Sequence, residues 1–202
     1  MIEALGGLID GGRIKVYCTE SNVAEAWTRR DGDPRWRIQR HLAFEHYIVA
    51  ELAPRIREDC HTPDIPIATT GTSLGAFYAA NFALKYPSLF NYALCMSGRY
   101  DTSEFTGGLA STDTYFNNPM AYVPNLHGDV LQRVRGAIHV TLVCGQGRWE
   151  DGNVDEARTF ARMLAAKEIS HQLDIWGHDV SHEWQWWRRQ ALHHLSGRFG
   201  SG

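Results

Sequence analysis

The residues best suited to chemistry are Gly71-Thr72-Ser73-Leu74-Gly75, a G-x-S-x-G pattern. A serine hydroxyl becomes a useful nucleophile when a sharp turn holds it beside a base. The run IPIATT at 65–70 reads as a strand and LGAFYAANFALKY at 74–86 as a helix, so the pattern sits at a strand-to-helix turn. Such a turn lifts the Ser73 hydroxyl clear of a sheet. It also places the Leu74 N–H at a helix N-terminus, where it can help hold an oxyanion. Gly71 and Gly75 are expected to leave room for close backbone. A plainer reading is a tight turn in which Ser73 only caps the helix.

Ser73 needs a base, and the chain has ten histidines, so position must choose among them. His178 and His182 follow the last strand-like run, in GHDVSHEWQWW at 177–187. His182 is preferred because it leads into a helix carrying Trp184, Trp186 and Trp187, which pack that helix on the sheet. His178 reads as a residue that fixes the loop. The two histidines are also four apart, as in a zinc helix, with Asp179 where that motif has Glu. No third ligand is evident and Gly177 suggests a loop, so a metal-dependent hydrolase is the weaker alternative. The acid that orients the base should follow the preceding strand, in GQGRWEDGNVD at 145–155. Glu150 is the first choice and Asp151 the second. Asp155 reads as a helix cap, and all three could simply complement a helix dipole.

The elements that must position these residues alternate. Residues 2–10 read as a short helix and RIKVYC at 13–18 as a strand. A polar loop spans 19–33, and Asp33-Pro34 starts a helix that runs to about Cys60, with Pro54 expected to kink or shorten it. Further strands are expected at 64–71, 92–98, 137–145 and 171–177. Helices are expected at 74–86, 128–135, 153–168 and 182–197, and the last residues, GRFGSG, read as a flexible end. The pattern predicts one α/β domain over residues 1–202, a mostly parallel sheet with helices on both faces. In such sheets, active sites gather at the carboxyl ends of the strands. The segment 102–136 follows a strand end and is expected to wall the substrate.

Composition narrows the function. A formal net charge of −3 offers no basic field for nucleic acid or an anionic membrane. No apolar run is long enough to span a bilayer, and the first residues lack the pattern of a secretory leader. The four cysteines, Cys18, Cys60, Cys95 and Cys144, form no CxxC pair and read as free thiols. They fit a reducing, cytoplasmic setting.

With these pieces assembled, the chain resembles the putative-esterase family of α/β-hydrolases, which includes esterase D-like enzymes and mycolyltransferases. The resemblance is carried by GTSLGAFYAANFALKYPSLFNYALCMSGRYD (71–101), VCGQGRWE (143–150) and WGHDVSHEWQWW (176–187). The last contains an H-x-W-x-x-W element at His182, Trp184 and Trp187. The resemblance implies a triad of Ser73, Glu150 and His182, Leu74 N–H as one oxyanion donor, and no cofactor. The substrate would be a small acyl ester, cleaved through an acyl-enzyme, with acyl transfer as a variant. The chain departs from the family pattern at its start, where further strands and the loop with the second oxyanion donor are usually found. Two expectations follow: a catalytically impaired homologue that binds or assembles, and an exposed sheet edge that favours a homo-oligomer.

Overall fold

The computed structural model describes residues 1–29 and 31–200. Arg30 of the polar loop and Ser201-Gly202 of the tail lie outside the described residues. The chain begins with a 3₁₀ turn, Ile2–Leu5, running into α1, Gly6–Asp10. Helix α2, Pro34–His46, starts where Asp33 accepts a hydrogen bond from Arg35 N at 2.9 Å and Pro34 supplies a fixed φ. The α-helical pattern changes before Pro54 is reached. A π-helical stretch, Tyr47–Leu52, leads into α3, Ala53–Asp59. Proline lacks an N–H and crowds the preceding turn, and a locally wider helix accommodates both effects.

Strand β1, Ile67–Thr72, is followed by α4, Leu74–Lys85, and β2, Phe90–Met96. Short helices α5, Thr112–Phe116, and α6, Pro119–Tyr122, then lead to α7, Gly128–Ala137. The chain closes with β3, His139–Cys144, α8, Asn153–Ala166, β4, His171–Ile175, and α9, Trp184–Phe199. Among the described residues the sheet has four parallel strands in the order β1-β2-β3-β4. The central strands β2 and β3 are buried on both faces, which explains their continuous apolar runs.

Alternation along the central strands divides the core. Ala93, Cys95, Leu142 and Cys144 face α4 and α8, with Phe77, Phe160 and Leu164 filling that side. Leu94, Met96 and Val143 face α9 and the N-terminal helix, meeting Trp187, Ala191, Leu5 and Leu8. The helices therefore cover both faces, as the alternation of elements predicts.

Two expectations need correction. RIKVYC joins no ladder. Ile14 and Val16 pack against the α9-side core, while Lys15 and Tyr17 reach across to Asp59. The alternation is thus used for packing rather than pairing. The tail is helical as far as Phe199, whose ring meets Tyr92 edge-on at 6.3 Å. No helix among the described residues is long and apolar enough to cross a membrane.

Candidate active site

The carboxyl ends of the strands carry the predicted residues. Ser73 follows β1, Ser97 follows β2, Glu150 lies in the loop after β3, and His182 lies in the loop after β4. The ladder continues one step past β1, since Ser73 N donates to Met96 O at 2.9 Å. It continues past β2 as well, since Ser97 N donates to Val143 O at 2.7 Å. Ser73 and Ser97 are thereby fixed beside each other at the sheet edge.

Ser73 has φ 55° and ψ −124°, a conformation L-residues avoid. Its side chain does not cap α4, so the plainer reading of the motif fails. The turn is tight: a Cβ on Gly71 would lie 2.1 Å from Gly75 O. The matching expectation for Gly75 does not hold, since a Cβ there would meet nothing within 4 Å. Leu74 N–H is the first donor of α4 and belongs to the set a helix leaves without an internal acceptor.

The loops after β3 and β4 are locked together. Gly147 N donates to Val180 O at 2.8 Å and His182 N to Arg148 O at 3.0 Å. A Cβ on Gly145 would lie 2.0 Å from Val180 O, so only glycine permits this approach. The result is an ion-pair geometry between His182 Nδ1 and Glu150 Oε2 at 3.2 Å. The Glu150 side chain is 1% exposed and that of His182 is 21% exposed, so the pair joins a buried acid to a base at the surface.

Glu150 has further donors. Ser97 Oγ donates to Oε1 at 2.5 Å and Asn153 Nδ2 to Oε2 at 3.0 Å. The Trp187 indole N–H donates to Ser97 Oγ at 2.9 Å, which turns the Ser97 hydroxyl toward the carboxylate. Burial alone would raise the Glu150 pKa, but the bonds from His182, Ser97 and Asn153 outweigh it and hold the group below the usual carboxylate range. An ionised acid facing Nδ1 favours the tautomer with its proton there, leaving Nε2 free to act as a base. Trp187 also meets the His182 ring edge-on at 4.7 Å.

Among the described residues Ser73 Oγ makes no hydrogen bond to His182. Asp151 is exposed, and Asp155 is exposed beside Arg158 in the first turn of α8. Neither pairs with His182. His178 is exposed and forms no ligand cluster with His182. Cys95 and Cys144 are buried free thiols whose pKa values burial pushes up, which keeps them inert. Sequence reasoning missed Asn153 and the polar role of the Trp187 indole. Ser97 entered it only within the run 71–101 that carries the family resemblance.

The fold and this arrangement of strand-end residues define an α/β-hydrolase. More particularly, the chain belongs to the putative-esterase family, whose model matches residues 19–197. Among solved structures it is similar to a ferulic acid esterase, with a TM-score of 0.69 and 17% identity over 98% of this chain and 76% of the other. It is also similar to Mycobacterium tuberculosis MPT51, with a TM-score of 0.58 and 16% identity over 77% of this chain and 67% of that one. An S-formylglutathione hydrolase from Agrobacterium tumefaciens matches with a TM-score of 0.61 and 16% identity, over 77% of this chain and 56% of its own. These identities speak for fold. No curated protein matches the sequence.

Proposed function

We propose that this protein is a serine esterase in which Ser73 is the nucleophile, His182 the base and Glu150 the acid. The observation that carries the reading is Ser73 itself: a strained backbone, with a side chain not used to cap the helix, on the same strand-end row as the His182–Glu150 pair. Strain of this kind persists where the surroundings over-determine it, and it clusters at functional turns.

His182 takes the Ser73 proton as Oγ attacks the acyl carbonyl. Leu74 N–H stabilises the oxyanion, and the returning proton leaves with the alcohol. Water, or another alcohol in acyl transfer, then releases the acyl group by the same steps in reverse order. The segment 102–136 walls the acyl site. It is held to the helices by Asn117, whose side-chain oxygen accepts from His41, Asn81 and Lys85 at 2.9, 2.9 and 3.0 Å. The substrate is a small acyl ester, and the net charge of −3 does not favour nucleic acid or membrane. The buried thiols support a cytoplasmic setting.

The test is Ser73→Ala against short p-nitrophenyl esters, together with labelling by a fluorophosphonate. Wild type should hydrolyse and label, and the variant should do neither; undiminished hydrolysis by the variant would overturn the assignment. A second reading, an impaired homologue that binds or assembles, draws on the missing Ser73–His182 hydrogen bond and on a single located oxyanion donor. One absent donor costs about 10²–10³-fold in turnover. Folded wild-type protein that neither labels nor turns over would favour that reading.

A further inference from the structure

Away from Ser73, β4 and α9 bring together a second group of chemically capable side chains. Atoms able to ligate a metal on Asp174, His193 and His194 all lie within 4.8 Å of one another. Asp174 sits on β4, on the sheet face that α9 covers. His194 Nε2 lies 3.0 Å from Asp174 Oδ2, and the Trp176 indole N–H donates to the same oxygen at 2.8 Å. Asp174 Oδ1 makes no protein hydrogen bond among the described residues. The two imidazole centroids are 4.9 Å apart at 85°, and Trp176 packs edge-on against His193 at 6.1 Å.

Two further observations point to a ligand. A cavity of about 330 Å³ lies against this cluster and is lined in part by His193, His194, His139, Gln172 and Arg198. It touches neither Ser73 nor His182. Gln190 precedes His194 by one turn on the same face of α9. It is fully buried, and neither its amide nitrogen nor its oxygen has a hydrogen-bond partner among the described residues. Buried amides ordinarily find a protein group or a bound water.

We propose that Asp174, His193 and His194 form a site for a divalent transition-metal ion of the Zn²⁺ class. Two imidazoles and one carboxylate suit a borderline ion better than Mg²⁺ or Ca²⁺, which prefer all-oxygen sets. Three protein ligands leave a fourth position for water. His193 and His194 both line the cavity, which gives that water a route to solvent. Binding through His194 Nε2 moves the ring proton to Nδ1 through solvent, so a neutral ring releases no net proton. The Trp176 N–H stays on Asp174 and orients the carboxylate, as outer partners of metal ligands do. The ion ties α9 to the edge strand β4. By helix rise it lies roughly 15 Å along α9 from the His182 loop, so this role is separate from ester hydrolysis.

The test is a ZnCl₂ titration of the untagged full chain by calorimetry, with Co²⁺ absorption as a reporter of geometry. Expected are one ion per chain, a tetrahedral Co²⁺ spectrum and a raised unfolding midpoint with Zn²⁺. His193→Ala, at an exposed position that does not threaten folding, should weaken binding at least about tenfold, and Asp174→Asn should do the same. Ser73→Ala and His178→Ala should bind as wild type does, whatever the outcome of the esterase assays. No binding at micromolar Zn²⁺, or binding unchanged in both His193→Ala and Asp174→Asn, would overturn the proposal. The Asp174–His194 contact would then only fasten the helix to the strand.

Discussion

Two buried glutamates, Glu45 and Glu150, are built alike and serve different ends. Each lies beside a histidine and accepts from a hydroxyl and a nitrogen donor. Glu45 is met by His41 at 3.5 Å, by Tyr86 OH and by Lys85 Nζ at 2.7 Å. Glu150 is met by His182, Ser97 and Asn153. In both, burial raises the pKa and the bonds bring it below the usual carboxylate range, for Glu45 to about 2. The difference lies in the partners. Glu45 faces a permanent cation and a fully buried histidine, so its network ties α2, α4 and the 102–125 segment together. Among the described residues Glu150 pairs with no lysine or arginine, and its histidine reaches solvent. A paired buried charge beside a fixed cation acts as a brace; under the esterase reading, one beside a base open to substrate tunes chemistry.

Substitution should separate the two roles. Glu150→Gln keeps the shape but loses the charge that holds the imidazole tautomer. Under the esterase reading, turnover of a p-nitrophenyl ester should fall by about 10⁴-fold while the protein stays folded. Glu45→Gln leaves the half-buried Lys85 without its counter-charge though still bonded to Asn117, so the loss should fall below the about 3–5 kcal/mol of a fully buried pair. Urea unfolding should show that loss, with turnover per folded molecule unchanged. A large activity loss in Glu45→Gln at full folding would erase the distinction.

Acid sharpens the contrast. The folded pKa of Glu45 is depressed from 4.5 to about 2. Its contribution to stability is therefore complete above pH 4.5 and is lost as pH falls from there toward 2. Thermal unfolding across that window should bring wild type and Glu45→Gln progressively closer. A constant gap down to the lowest pH would mean that ionisation of Glu45 is not what holds the helices.

These networks explain what the sequence did and did not make legible. Strands β2 and β3 were readable because a strand buried on both faces needs a continuous apolar run. Helix α8 was readable because its buried face, Ala157, Phe160, Ala161 and Leu164, recurs with helical period. Glu150 and His182 were readable because topology puts both loops at the same end of a parallel sheet. RIKVYC was misread because alternation reports two unlike sides and not a pairing partner. The π-helical stretch before Pro54 is a local compromise that no spacing announces. Asn153 was missed although its partner Glu150 is three positions away; Ser97 and the Asn117 network were missed for a further reason. Their bonds join distant segments, as His41 joins Asn117 across 76 positions, and a polar residue carries no periodic mark of its future partner.

The smallest expected effect concerns the Trp187–Ser97–Glu150 chain. Trp187→Phe keeps an aromatic edge against His182 but removes the indole N–H that fixes the Ser97 hydroxyl. A single neutral hydrogen bond contributes about 0.5–1.5 kcal/mol, so stability should drop by that much. Turnover under the esterase reading should drop by less than about tenfold, since Ser97 can still donate to Glu150. Ser97→Ala removes the donor itself and leaves Glu150 Oε1 buried without a partner, so its effect on both measurements should exceed that of Trp187→Phe. The reverse order would show that the indole acts on His182 by packing and not through Ser97. The Glu150 network would then resemble the Glu45 brace more than its partly exposed histidine suggests.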